Sequence, residues 1–103
     1  MNKRIIEDLL DELNIPADNL GYKYWITAIQ QKLNDENRYD YYYMENLYID
    51  IGKIHNSTRN RVERAMRHAY ETSRDKIKTY FKVEYEITNR RLLALLIREI
   101  ERK

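Results

Sequence analysis

The scarcity of residues that break helices is the feature that most constrains the fold of this chain. Only 2 glycines and 1 proline occur among its 103 residues, whereas sandwiches and barrels require frequent turn residues. The other positions are rich in Leu, Ile, Lys, Arg and Glu, which favour helices. A chain of this length can also close one core without disulfides. We therefore predict a single all-α domain over residues 1–103.

The spacing of apolar residues predicts about six helices, because these residues recur at steps of three and four. Pro16 predicts a loop over residues 15–19, since proline disfavours helical geometry in the residue before it. Thr88 is the predicted N-cap of the last helix. The other predicted helices cover about residues 3–13, 22–33, 44–55, 59–73 and 77–81, and the other predicted loops cover 34–40 and 83–87.

The inventory of reactive side chains argues against catalysis. The chain has no Cys, so it forms no disulfide, thiolate zinc site or cysteine nucleophile. Its 2 His residues, His55 and His68, have no partners at the spacing of a triad or a metal site. The carboxylates on the first helix are typical of a solvated face. We predict no enzymatic activity, no metal and no cofactor.

The chain carries no apolar stretch of the kind that enters a membrane. Its longest apolar run, residues 92–97, is far shorter than the ~20 residues of a bilayer span. Acidic residues interrupt the first thirteen positions, where a signal peptide needs an apolar stretch. We therefore expect a cytoplasmic protein with no membrane partner.

The charge is distributed unevenly along the chain. The overall net charge is only +2, yet residues 53–78 carry eight Lys or Arg against three Asp or Glu. The preceding residues 34–52 are acidic. A local basic stretch of this kind favours an anionic partner that docks on one part of the surface.

The basic stretch overlaps a pattern that is typical of a helix-turn-helix. Gly52 is a small residue at the predicted close crossing of the two helices. Asn56 follows at the turn, where a residue that tolerates left-handed geometry is needed. Val62 then supplies a β-branched core residue in the second helix. The pattern places the turn near residues 55–58 and the recognition helix at about 59–73.

The predicted recognition helix has one apolar and one basic face. At 100° per residue, the apolar face comprises Val62, Ala65, Met66 and Ala69. The opposite face carries Asn60, Arg61, Arg64, Arg67 and His68, with Glu63 at its border. Arginine forks bind guanine O6 and N7, and a carboxylate accepts a hydrogen bond from cytosine N4. This face is therefore suited to the major groove of DNA.

Residues 56–69 resemble the recognition helix of the sporulation initiation factor family, the stage-zero response regulators of endospore-forming Firmicutes. The family pattern is Asn-Thr-Thr-x-Ser-Arg-Val-Glu-Arg-Ala-Ile-Arg-His-Ala. The resemblance extends upstream to Ile15-Pro16-Ala17 and Gly21-Tyr22, and downstream to Thr88-Asn89. It implies a six-helix DNA-binding domain, equivalent to the C-terminal effector domain of that family.

The resemblance also implies roles for individual residues and a DNA target. The implied base-reading residues are Arg61, Glu63 and Arg64. The implied contacts to the DNA backbone are Ser57, Thr58, Arg59, Asn60, Arg67 and His68. The family's target is a short box containing TGTCGAA in double-stranded DNA.

Pairing of two copies on tandem boxes is a further implication of the resemblance, with the C-terminal helix as the contact surface. Six consecutive apolar residues, 92–97, are more than one stripe of a helix can bury. The helical wheel predicts that Leu95 is the exposed member of this run. We expect weak or no dimerisation in free solution.

Two expectations concern regulation and the alternative function. Family proteins carry an N-terminal receiver domain, which this sequence does not include, so we expect a free-standing DNA-binding protein or an excised domain. The alternative function is a protein-interaction module that binds another regulator instead of DNA. Such a module would be free to lose its basic face, yet the charged residues of that face are all present.

Overall fold

The computed structural model describes residues 3–34 and 43–103, and these ranges form six α-helices without any strand. The all-α prediction is therefore confirmed. The helices are α1 (Lys3–Glu12), α2 (Leu20–Asn34), α3 (Tyr43–Ile54), α4 (Arg59–Thr72), α5 (Arg74–Phe81) and α6 (Asn89–Arg102). The loop predicted over residues 34–40 lies outside the described residues, apart from Asn34 at the end of α2.

Local backbone geometry explains several of the helix ends. Asn14, Asn56 and Lys82 have positive φ angles of 61°, 55° and 57°, a conformation that turns the chain out of a helix. The predicted N-cap of α6 is confirmed, because Thr88 Oγ1 accepts a hydrogen bond from the Arg91 amide at 3.2 Å. Residues 83–87 are non-helical, as the sequence predicts.

The core is centred on α2 and α4, which cross closely at Gly21. A Cβ atom added to Gly21 would lie 2.7 Å from Ala69 Cβ and 3.0 Å from the Ala65 carbonyl carbon, and closer still to the Ala65 carbonyl oxygen. Real side chains do not tolerate such distances. The absence of a side chain at Gly21 therefore lets α2 pack directly on the backbone of α4.

Gly52 does not have the role that the sequence predicts for it. Its added Cβ would lie 3.0 Å from the Ser57 carbonyl oxygen, and its other near neighbours are carbonyl carbons of Ser57 and Thr58. A small residue is therefore required at position 52 because the backbone of Ser57 and Thr58, in the turn after α3, passes close to it. The close contact is not made between two crossing helices. The prediction of a close helix crossing at Gly52 is wrong.

The prediction that Leu95 is exposed is also wrong. Leu95 is only 9% exposed, whereas Ala94 is the exposed residue within the apolar run of α6. The reason is that α6 packs against α1, α2 and α4. Three neighbouring helices bury a wider stripe than the single face assumed from the helical wheel.

His55, directly after α3, has a structural role. A hydrogen bond of 2.7 Å joins its Nε2 to Thr27 Oγ1, and its ring lies 5.2 Å from the Tyr24 ring. Desolvation by burial lowers the pKa of His55, and the positive charge of Lys23 lowers it further. His55 therefore stays neutral in the folded domain at pH values where the unfolded chain is already protonated.

This difference predicts a loss of stability in mild acid. The folded pKa of His55 lies below its ordinary value of 6.5, so the unfolded state binds the proton first as the pH falls through that value. We expect the thermal unfolding temperature of the wild type to fall more between about pH 7 and about pH 5 than that of His55→Gln. Parallel pH profiles of the two proteins, measured by circular dichroism, would contradict this assignment.

None of the helices within residues 3–34 and 43–103 has the length and apolarity that crossing a bilayer demands.

Candidate nucleic-acid interface

The junction between α3 and α4 is built as a tight turn. Asn56 adopts the left-handed conformation, and the Ser57 amide donates to the Gly52 carbonyl at 2.7 Å. Thr58 Oγ1 then accepts from the Arg61 amide at 3.2 Å and caps α4. The turn thus connects α3 directly to α4.

The inner face of α4 is held in place by both packing and hydrogen bonds. Val62, Met66 and Ala69 are fully buried. Trp25 Nε1 donates to the Met66 carbonyl at 3.0 Å, and Asn89 Nδ2 donates to the Glu63 carbonyl at 3.3 Å. These two donors come from two different helices, α2 and α6. Together with the buried side chains, they hold α4 against the core.

The sequence did not identify Trp25 and Asn89 as residues that position this helix. Asn89 is 9% exposed and also donates to Tyr48 Oη at 3.1 Å. Buried polar groups need partners, so a polar residue just after a predicted N-cap, near the core, was the available signal. The identity of its partner carbonyl depends on the tertiary arrangement.

The outer face of α4 is exposed and basic, as the sequence predicts. Within the part of the chain that the structure describes, the guanidinium groups of Arg61 and Arg64 take part in no hydrogen bond or salt bridge. The two groups stand one turn apart on the helix. The exposed residues of this face are Asn60, Arg61, Arg64, Arg67 and His68. This face can therefore offer two unengaged cationic forks to an anionic or acceptor-rich partner.

Glu63 and Arg67 form an ion pair across one turn of α4. Arg67 Nε lies 3.0 Å from Glu63 Oε2, and the Glu63 side chain is only 25% exposed. The family resemblance implied separate roles for the two residues, Glu63 toward bases and Arg67 toward the DNA backbone. The structure brings them together, so the orientation of the carboxylate depends on Arg67.

Arg59 is engaged by α3. Its guanidinium donates to both carboxylate oxygens of Glu45 and lies 5.0 Å from the centroid of the Tyr48 ring. The hydrogen bond from Arg59 lowers the pKa of Glu45. Among the predicted backbone contacts, Arg59 is therefore the residue whose charge is most fully committed within the domain.

Comparison with known protein families matches residues 6–100 to the family described as "Sporulation initiation factor Spo0A C terminal". The chain belongs to this family. The match includes all of α2 to α5 and most of α1 and α6. The family is a DNA-binding effector domain of a transcription factor and is not an enzyme family.

Membership in this family bears on the kind of partner that the basic face of α4 could bind. A family of DNA-binding effector domains requires a surface that meets DNA, and α4 carries two unengaged arginines on its outer face. The resemblance found in the sequence and the family match therefore agree on the general class of partner.

Proposed function

We propose that this chain binds double-stranded DNA in a sequence-specific manner and acts as a transcription regulator, with α4 as the recognition helix in the major groove. The observation that carries the proposal is the pair of exposed, unengaged guanidinium groups of Arg61 and Arg64. They project from a helix whose opposite face is locked into the core. A rigid helix with a basic outer face is the usual element for reading base edges.

Each charged residue of the face has a proposed role. Arg61 and Arg64 bind the O6 and N7 atoms of guanines. Glu63 accepts from cytosine N4, with Arg67 orienting its carboxylate across their 3.0 Å contact. The remaining contacts, to phosphates, are assigned to Ser57, Thr58, Arg59, Asn60, Arg67 and His68. Several of these residues lie at the N-terminus of α4, where the free backbone amide groups favour anions.

Fluorescence anisotropy with labelled duplexes tests the proposal. One duplex contains TGTCGAA and the other contains a scrambled version, and both are titrated at two salt concentrations. We expect tighter binding to the box at both concentrations, together with a general weakening as salt rises. Equal binding to both duplexes would refute sequence reading. Binding to neither would favour the alternative function, a protein-interaction module derived from this fold.

We also propose that two copies pair on tandem boxes through the exposed side of α6. Because Leu95 is buried, the exposed surface of α6 is formed instead by Ala94 and Arg98, with Ile97 half-buried beside them. The exposed apolar area is small, which is consistent with pairing that depends on DNA to bring two copies together.

Cooperative binding to a duplex with two adjacent boxes checks this surface. We expect the wild type to bind the two boxes cooperatively, and Ala94→Glu to lose the cooperativity while keeping its affinity for one box. Ala17→Glu is the matched control, because Ala17 is exposed in the loop between α1 and α2. Independent binding by the wild type, or intact cooperativity in Ala94→Glu, would show that α6 is not the contact.

A further inference from the structure

A shallow groove runs beside the outer face of α4 and contains an exposed leucine. It has a volume of about 620 Å³ and is lined by the start of α2 and the outer face of α4. Its lining residues are Asn19, Leu20, Arg61, Arg64, Ala65 and His68. Leu20 is 48% exposed. The groove thus combines an apolar side chain with the two unengaged arginines of α4.

The position of Leu20 is fixed by its neighbours in the chain. Asn19 Oδ1 accepts from the Gly21 amide at 2.8 Å and holds the start of α2. Gly21 packs directly on the Ala65 backbone. Leu20 lies between these two anchored residues, so its backbone is held at the edge of the groove that Arg61 and Arg64 also line.

Exposed apolar residues are common on protein surfaces, but Leu20 differs from the others in its surroundings. Among the described residues, the large exposed apolar side chains are Leu20, Ile49, Ile54 and Tyr85. Of these, Leu20 alone lines the groove that contains both arginines. A partner that contacts the arginines therefore comes within reach of this leucine.

The chemistry of the major groove identifies the group that such a leucine contacts. Arginine forks bind guanine O6 and N7, and the thymine 5-methyl is the apolar substituent that base pairs present in this groove. We propose that Leu20 packs against the 5-methyl group of a thymine close to a guanine bound by Arg61 or Arg64. Leu20 is then a specificity-determining residue outside the recognition helix. This inference rests on the proposed function.

The two guanidinium groups favour DNA as the occupant of the groove. Their positive charges complement the phosphates that flank the base edges, whereas an apolar protein partner would have to cover two unpaired charges, which is unfavourable. The combination of two cations and one leucine is therefore better matched to a thymine beside a guanine than to a purely apolar surface.

Replacement of thymine by deoxyuridine tests the contact, because it removes only the 5-methyl group. Each thymine of the TGTCGAA duplex is replaced in turn, and the duplexes are titrated with wild type, Leu20→Ala and Ile49→Ala. We expect one replacement to weaken wild-type binding by about three- to five-fold, the effect of one buried methyl group. Leu20→Ala should bind the thymine duplex more weakly by a similar factor and be insensitive to that replacement.

The control variant separates this contact from a general effect of surface apolarity. Ile49 is 41% exposed on α3 and does not line the groove, so Ile49→Ala should keep the wild-type sensitivity to deoxyuridine. Matching circular dichroism melting curves would confirm that both variants are folded.

The outcomes distinguish this inference from the function on which it rests. If the wild type prefers the box but no deoxyuridine replacement weakens binding, the leucine contact is refuted and the proposed function stands. The contact is refuted equally if Leu20→Ala retains every deoxyuridine penalty of the wild type. If the wild type does not distinguish the box from the scrambled duplex, the proposed function fails, and the contact fails with it.

Discussion

Arg64→Ala is expected to lose most of the preference for the TGTCGAA duplex over a scrambled one, by about 1 to 3 kcal/mol. The Arg64 guanidinium is exposed on α4 and engages no other group among the described residues. Its removal should therefore leave the fold intact and delete only the contacts to DNA that we propose. Because base contacts carry sequence information, binding to the scrambled duplex should change little.

Arg67→Ala provides the matched contrast, since it removes the same side chain one turn along the same helix. We expect it to weaken binding to both duplexes and to reduce the slope of log K against log salt by about one. Competition titrations at several salt concentrations measure both quantities. If Arg64→Ala weakens the two duplexes equally, Arg64 binds the DNA backbone and is not a base-reading residue.

The ion pair with Glu63 adds a way to separate two roles of Arg67. Arg67→Ala leaves the Glu63 carboxylate without its partner, which adds an unpaired negative charge near DNA. If Arg67 acts only by neutralising this charge, Glu63→Gln combined with Arg67→Ala would recover binding to the scrambled duplex, where the proposed contact between Glu63 and cytosine is absent. If Arg67 binds phosphate, as we propose, the double variant still binds the scrambled duplex weakly.

Much of this architecture follows from local features of the sequence. Periodicity predicts the helices because each one buries a single face, and the left-handed turn at Asn56 requires only a residue that tolerates that geometry. Val62 is buried as predicted, because it lies on the face of α4 that packs against the core. The outer face of α4 is predictable for the same reason, being the side opposite the core.

The remaining features depend on contacts between distant parts of the chain. Leu95 is buried because α6 has three neighbouring helices. The periodicity of apolar residues along one helix does not reveal how many other helices pack against it. The hydrogen bond from Trp25 to the Met66 carbonyl joins residues 41 positions apart. The commitment of Arg59 to Glu45 likewise requires the angle between α3 and α4. Local sequence thus predicts the faces of the helices, and tertiary packing decides which side chains on those faces are free.

The close crossing of α2 and α4 leads to the second large effect. Gly21→Ala places a Cβ atom 2.7 Å from Ala69 Cβ and against the Ala65 carbonyl oxygen. A backbone oxygen inside a helix cannot move away alone, so the two helices must separate. We expect the free energy of unfolding to fall by about 1 to 3 kcal/mol, which lowers the melting temperature by about 4–8 °C for each kcal/mol in a domain of this size.

Gly52→Ala is the matched variant that makes this expectation specific. Neither glycine has a positive φ angle, so alanine is conformationally acceptable at both. The nearest atom to the added Cβ of Gly52 is 3.0 Å away, a distance that a shift of a few tenths of an ångström relieves. Alanine also gains up to about 1 kcal/mol over glycine in a helix. We therefore expect Gly52→Ala to melt near the wild-type temperature.

DNA binding, like stability, should be reduced more by Gly21→Ala than by Gly52→Ala. The reason is that α2 carries Leu20 and also holds α4 through Trp25. Separation of the two helices by Gly21→Ala would tilt Arg61 and Arg64 away from the base edges that we propose they bind at hydrogen-bonding distance. Binding to the TGTCGAA duplex should therefore weaken in Gly21→Ala even at temperatures where the variant is fully folded. A larger loss of stability in Gly52→Ala than in Gly21→Ala would instead place the tightest contact of the domain at the turn before α4.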